Sequence, residues 1–274
     1  MNIETQRPLL LVGCGKMGSA ILSGLLPQIQ SSACIKVVDP NGIPTQTCKD
    51  GISVFKEAKE LPSNFEPSII IFAVKPQQMK KVVPSYLRFV ESDALFISIA
   101  AGTTIKFFED ILGSNAAIIR AMPNTPALVK QAITVACPNA AITDSQMASA
   151  KLLLETIGEV IFISDEDLLD PITAISGSGP AYVFFMIECL TQAGLENGLP
   201  SKLASTLALK TVSGAGMLAL ESSETPEQLR QNVTSPGGTT FEALQVLTAN
   251  DNGLKQLISG AVSAATRRSR ELAD

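Results

Sequence analysis

The sequence predicts an α/β chain in two parts: a doubly wound parallel sheet over residues 1–164, then an all-α domain over residues 165–274. Three observations lead there. Short apolar runs alternate with helix-compatible segments through the first part. The first of these runs ends in three glycines spaced G-x-G-x-x-G. From Glu166 onward no convincing strand is found, and two long apolar helical segments follow.

The glycines come first in the chain. Leu9 to Val12 reads as a strand and Ser19 to Leu26 as a helix. Between them, Gly13 allows the tight turn, Gly15 lets backbone approach a pyrophosphate, and Gly18 lets the helix pack on the strand. This order is that of a Rossmann-type dinucleotide site. Gly13, Cys14, Gly15, Lys16, Met17 and Gly18 are therefore the candidate cofactor cradle. The alternative is a glycine-rich turn that binds no ligand.

Further strands are read at Cys34–Asp39, Ser68–Val74, Ala94–Ala100, Ala116–Ala121, Ala132–Ala136 and Val160–Ile163. Runs such as Ile69 to Val74 are apolar on both faces, as in a parallel sheet covered by helices on both sides. Three loops after strands are candidates for ligand contact. Asp39 stands about 20 residues after the glycines, where a carboxylate holds the ribose 2′-hydroxyl and favours NAD over NADP. It equally suits the first position of the turn Asp39-Pro40-Asn41-Gly42. Ala73, Val74, Lys75 and Pro76 sit at the carboxyl end of a central strand, where doubly wound sheets bind ligands. Asn124, in a loop stiffened by Pro123 and Pro126, is placed to bond a nicotinamide carboxamide, or else belongs to a rigid turn.

In the second part, Pro180 to Leu195 and about Ser201 to Leu220 read as helices apolar nearly all round. Such helices must be buried on every side, and about 100 residues can hardly cover two of them. A partner copy is the expected cover, with intertwined helices at a dimer interface; the alternative is a simple monomeric bundle. Thr225-Pro226-Glu227-Gln228 opens a third helix with a capping box. Thr239 is expected to cap a fourth, answered by Glu242. Arg267, Arg268 and Arg270 near the C-terminus read as a solvated tail.

Two glycine-bearing loops lie in this part. Ser176-Gly177-Ser178-Gly179-Pro180 allows close backbone approach, for packing or for a ligand. In Thr234-Ser235-Pro236-Gly237-Gly238-Thr239-Thr240, backbone N–H groups converge at a helix start and can hold a carboxylate without any arginine. Thr240 offers a hydroxyl beside that anion.

Composition narrows the chemistry. The chain has no histidine, which removes every mechanism built on a histidine base. Its net charge of −5 and lack of a basic stripe speak against a nucleic-acid partner. No apolar run reaches about 18 residues unbroken, so no membrane span is expected. The N-terminus has no signal-peptide core, and five cysteines without a C-x-x-C pair suggest neither disulfides nor a metal site, which points to the cytoplasm.

Taken together, Gly13-Cys14-Gly15-Lys16-Met17-Gly18, Ala73-Val74-Lys75-Pro76, Met122-Pro123-Asn124-Thr125-Pro126, Ser176 to Tyr182 and Ser235 to Thr240 resemble the motifs of pyrroline-5-carboxylate reductases, in the same order. The resemblance covers nearly the whole chain. It implies a Rossmann domain, a helical dimerisation domain, and reduction of a cyclic imine to L-proline with NADP(H) or NAD(H). It implies a homodimer, with further assembly up to a decamer. On the same resemblance, Gly13 to Ser19 cradle pyrophosphate, Ala73 to Pro76 line the cofactor, and Asn124 lies near the nicotinamide. Ser235, Gly237, Gly238 and Thr239 would bind the substrate carboxylate, and Thr240 the ring nitrogen as the catalytic residue. Asp39 departs from the small or basic residues of many NADPH-using members, which leaves the cofactor preference open. The β-hydroxyacid dehydrogenases share the layout but need a lysine on the first long helix of the second domain. Pro180 to Leu195 contains none. A non-catalytic NAD(P)-sensing protein is the remaining alternative.

Overall fold

The computed structural model describes residues 8–29, 34–44 and 51–272. Eight strands form one sheet: β1 (Leu9–Val12), β2 (Ile35–Val38), β3 (Ser53–Phe55), β4 (Ile69–Phe72), β5 (Leu95–Ser98), β6 (Ala117–Met122), β7 (Ala132–Pro138) and β8 (Gly158–Phe162). Their order is β3-β2-β1-β4-β5-β6-β7-β8. The chain starts in the middle, runs out through β3, and returns to the other side of β1 at β4. That reversal makes the carboxyl ends of β1 and β4 the topological switch point, where such sheets bind ligands.

The helices are α1 (Lys16–Leu25), α2 (Pro76–Val82), α3 (Ile105–Leu112), α4 (Asp144–Leu154), α5 (Leu169–Ile172), α6 (Gly179–Glu196), α7 (Ser201–Glu221), α8 (Pro226–Asn232), α9 (Thr239–Leu247) and α10 (Leu254–Glu271). Their starts follow local chemistry. Thr104 accepts the Phe107 N–H at the head of α3. Thr143 with Gln146, and Thr225 with Gln228, form complete capping boxes on α4 and α8.

The expected parallel sheet is present with one exception. β6 and β7 pair antiparallel, with Ala121 opposite Ala136. Between them lies only one short connection, the 3-10 turn Thr125–Val129, which is too short for a crossover helix. The three-residue edge strand β3 was not read from the sequence, because three residues show no period.

Alternate residues of each strand feed two cores, one on each face. Leu9, Leu11, Ile69, Ile71 and Ile97 pack with Ile21, Leu22 and Leu25 of α1. Leu10, Ile70, Phe72 and Phe96 pack on the other face with Tyr86 and Phe108. Phe72 anchors this second core, its ring 5.4 Å from Tyr86 edge-on and 5.7 Å from Phe108 in a stack.

The chain divides into two compact units, residues 1–177 with 265–274, and residues 178–264. Residues 165–177 therefore pack with the sheet, although the sequence assigns them to the helical domain. Arg120, 5% exposed within β6, explains this. Its guanidinium donates to Glu166 at 2.8 Å and stands 3.8 Å from Asp170. The basic C-terminal stretch is not a solvated tail. Ser269 is buried and donates to Asp170 at 2.7 Å, Arg270 is 3.9 Å from the same carboxylate, and Leu272 lies against Gly102. A helical spacing places Ser269 on the inward side while Arg267 and Arg268 face out, a distinction composition does not carry.

In the second unit, α6 packs along α7, with Gly194 close against Ala204. Ala204 and Ala208 are buried there, but α6 has no buried residue. Phe184, Phe185, Met217 and Leu220 are more than half exposed in the single chain. By length and composition alone, Glu166–Glu196 and Ser201–Glu221 are also apolar enough to cross a membrane, a test that a core helix of a soluble protein passes as well. Small and weakly polar residues interrupt their apolar runs without ending the helices.

Candidate functional site

At the switch point the three glycines meet three different demands. Gly13 adopts a φ of +90°, and a Cβ there would fall 2.7 Å from Val74 and 2.8 Å from the Ala73 carbonyl. A Cβ on Gly18 would fall 2.4 Å from the Gly13 carbonyl oxygen, so α1 packs on β1 only through hydrogen. Gly15 is different. Its backbone is extended, it caps α1 with no side-chain bond, and a Cβ there would touch nothing. Packing does not ask for glycine at this position.

What Gly15 leaves is open space in front of an uncapped helix start. The first turn of α1 carries no acid. Its free N–H groups and the positive end of the helix dipole face that space. Cavities flank the loop on two sides, one of about 390 Å³ lined by Gly15, Lys16 and Ser19, the other of about 480 Å³ lined by Gly13, Asp39 and Val74. A dinucleotide pyrophosphate fits these residues. Ser19 is less free than the sequence suggests, since its hydroxyl is 2.7 Å from the Gly15 carbonyl. Burial pushes the Cys14 thiol up, and the Asp39 charge adds to this, so Cys14 is a neutral wall of the loop.

Asp39 does two jobs within the chain. One carboxylate oxygen accepts the Cys14 N–H at 2.7 Å and the other the Asn41 N–H at 2.8 Å. The second bond is the turn foreseen from the sequence. The first ties that turn to the glycine loop, a partner 25 residues away that no local pattern announces.

Ala73 and Val74 close against Gly13, and Ala73 donates to the Val12 carbonyl at 2.7 Å. Lys75 precedes α2 in an extended conformation with its side chain exposed, and Pro76 takes the first helical position. Asn124 is buried, and its amide is largely used. Its oxygen accepts the Ile133 N–H at 3.1 Å, and its nitrogen donates to the Ser176 carbonyl at 3.1 Å. Among the described residues, its second amide hydrogen has no partner. Ser176 belongs to a π-helical turn, Thr173–Gly177, where Gly177 sits so near Met122 that a Cβ would fall 2.5 Å from its methyl group. Single π turns of this kind recur at functional sites.

The second unit carries the loop Thr234–Thr240. Ser235 accepts the Gly238 N–H at 3.0 Å, closing a turn that needs Gly237 at a φ of +68°. Gly238 is held so close to Ser235 that a Cβ would lie 2.4 Å from its hydroxyl. The expectation for Thr239 is corrected here. The cap of α9 is Gly238, in an extended conformation and without any side-chain bond, and Thr239 is the first helical residue. The Thr-x-x-Glu pattern imitates a capping box, but the turn has already placed Gly238 where a cap must be. The N–H groups of the first turn of α9 thus stay open. Thr239 is exposed and Thr240 half-buried, and among the described residues neither hydroxyl bonds to the chain.

Three lysines of the first unit, Lys56, Lys59 and Lys81, line the larger cavity and were not singled out in the sequence. Lys56 follows β3, and without that strand nothing marks it as lying at a carboxyl end. Among the described residues, no cluster of three histidine, cysteine or acidic side chains is arranged to hold a metal.

Comparison with known proteins agrees with this layout. Residues 166–272 match the family described as pyrroline-5-carboxylate reductase dimerisation. Residues 9–102 match that described as NADP oxidoreductase coenzyme F420-dependent. The pyrroline-5-carboxylate reductase of Pseudomonas aeruginosa is 35% identical over 263 residues, 96% of each chain. A solved structure of the enzyme from Coxiella burnetii has a TM-score of 0.87 at 34% identity, covering 98% of this chain and 100% of its own. Another, from Plasmodium falciparum with NADP bound, has a TM-score of 0.84 at 31% identity, covering 98% and 99%. With its glycine loop, its open helix starts and relatives matched over almost their whole length, the chain belongs to the pyrroline-5-carboxylate reductase family.

Proposed function

We propose that this chain reduces the C=N bond of pyrroline-5-carboxylate to give L-proline. One observation carries the reading. Two helices, α1 and α9, each begin at a glycine with no side-chain cap, and each start is left open to an anion. The reaction has two anionic parts to hold, the dinucleotide pyrophosphate and the substrate carboxylate.

The residues divide the work accordingly. Gly13, Cys14, Gly15, Lys16, Met17 and Gly18 hold the pyrophosphate, and Ala73 to Pro76 line the cofactor beside it. Asn124 offers its remaining amide hydrogen to the carboxamide end. When bound, the reduced nicotinamide of NADH or NADPH supplies the hydride. Ser235, Gly237, Gly238 and Thr239 bind the substrate carboxylate through backbone N–H groups. The Thr240 hydroxyl accepts a hydrogen bond from the protonated ring nitrogen. That bond keeps the ring in its iminium form, whose carbon needs no further activation. Catalysis then rests on orientation and exclusion of water, which suits a chain without histidine.

Self-association completes the proposal. The exposed faces of α6 and α7 suit a homodimer, and the family resemblance suggests further assembly, up to a decamer. Free cysteines at Cys14, Cys34, Cys137 and Cys189 suit a cytoplasmic enzyme of proline biosynthesis. The test is oxidation of NADPH or NADH by the purified protein in the presence of pyrroline-5-carboxylate, with reduction of NADP or NAD in the presence of β-hydroxyacids as the control. Turnover with the imine alone is expected. Turnover with hydroxyacids alone, or none at all, overturns the reading.

A further inference from the structure

β5 lies between β4 and β6, and the three strands run parallel. Their carboxyl ends therefore share one edge of the sheet. Ala73 to Pro76 follow β4 at that edge, and Asn124 follows β6. A nicotinamide that reaches from the glycine loop toward Asn124 must pass the loop after β5, residues 100–104.

The loop's own bonds hold it weakly. The Ala100 N–H meets the Ser98 hydroxyl at 3.3 Å, and the Thr103 N–H meets the Ala100 carbonyl at 3.5 Å. Gly102 turns the chain at a φ of +74°. Yet Ala100, Gly102 and Thr103 are buried, because two distant segments grip the loop. Just beyond it, Glu166 accepts the Ile105 N–H at 2.8 Å, and the same oxygen takes the Arg120 guanidinium. At its tip the end of α10 closes over Gly102, where a Cβ would fall 3.0 Å from that of Leu272.

One network joins the two grips. Arg120 also stands 3.8 Å from Asp170, which accepts the Ser269 hydroxyl at 2.7 Å and lies 3.9 Å from Arg270. Ser269 is 4% exposed, and the Leu272 N–H bonds back to the Arg268 and Ser269 carbonyls. Holding Ser269 thus holds Leu272 over Gly102. A shift of about 1 Å at a reacting group can cost roughly 100-fold in rate, so a loop beside the nicotinamide gains from such bracing.

We propose that residues 269–272 are a positioning clasp for hydride transfer. They touch neither cofactor nor substrate and act through the loop 100–104, which backs the nicotinamide. The proposal rests on the reductase reading above and names what keeps the nicotinamide in place for the imine.

Single turnover of the full-length protein tests the clasp, with enzyme in excess over NADPH or NADH and pyrroline-5-carboxylate saturating. Deuterium at the transferred C4 position of the cofactor marks the hydride step. Ser269→Ala and Leu272→Gly should each slow that step about tenfold. Cofactor Kd and the KM for the imine should stay within about twofold. Arg268→Ala, on the outward side of α10, should change none of these. Hydride transfer at the unaltered rate in either variant would overturn the proposal. So would a rate that falls only with the folded fraction, since the contacts would then serve stability alone. Leu272 is 39% exposed, so its variant keeps the test open if Ser269→Ala does not fold. If the unaltered protein transfers no hydride to the imine, the reductase reading itself falls.

Discussion

Thr239 and Thr240 are adjacent and chemically identical, and the fold separates them. Thr240, half-buried, is the residue assigned to the ring nitrogen, while Thr239 is the exposed first residue of α9. Thr240→Ala should lower kcat/KM about 10- to 150-fold, the range for a lost hydrogen bond to a charged group of about 1.5–3 kcal/mol. Because Gly238 is the cap, Thr239→Ala should leave the melting temperature nearly unchanged. A fall of several degrees would show that Thr239 caps α9 after all. What sequence shows at this scale depends on how far apart partners lie. The glycine spacing is legible because its members are neighbours. The bond from Asp39 to Cys14 is not, since it crosses between two strands. Asn124 is legible as a rigid-loop residue, but its bonds to Ile133 and Ser176 depend on the return of β7 and on the π turn.

Among the elements, the turn from β1 into α1 shows how one motif divides between stability and binding. Gly18 is required by packing, since any side chain meets the Gly13 carbonyl. Gly18→Ala should therefore destabilise the protein by about 1–3 kcal/mol, seen as a lower melting temperature without ligand. A Cβ on Gly15 meets nothing, and serine is a good helix cap. Gly15→Ser should keep the melting temperature of the free protein and weaken NADPH and NADH binding by about tenfold or more, by filling the space the pyrophosphate needs. If Gly15→Ser binds both cofactors normally, the anion does not lie at the start of α1. The strands themselves were legible wherever an apolar run exceeded three residues. β3 was missed for being shorter, and with it the setting of Lys56. The antiparallel step from β6 to β7 is set by the length of a connection rather than by the composition of either strand.

For the whole molecule, the sequence already contained the main tension: two apolar helices and too few residues to cover them. The structure gives it a location. Phe185 is 64% exposed on α6 and Leu220 is 77% exposed on α7. Faces of this kind mark a protein interface or a membrane surface, and length and composition alone allow either. The family match over residues 166–272 favours a second copy of the chain. In a two-fold interface every substituted residue acts twice. Loss of one buried phenylalanine per copy costs about 1.5–3 kcal/mol, so Phe185→Glu should weaken a dimer by roughly two to four powers of ten. Light scattering at micromolar concentration should show a stable assembly for the unaltered protein and mostly a 28.9 kDa monomer for the variant. The monomeric variant should retain its glycine loop, so NADPH or NADH should still bind it. A protein that sediments with lipid vesicles and stays monomeric in their absence would assign the apolar faces to a bilayer instead.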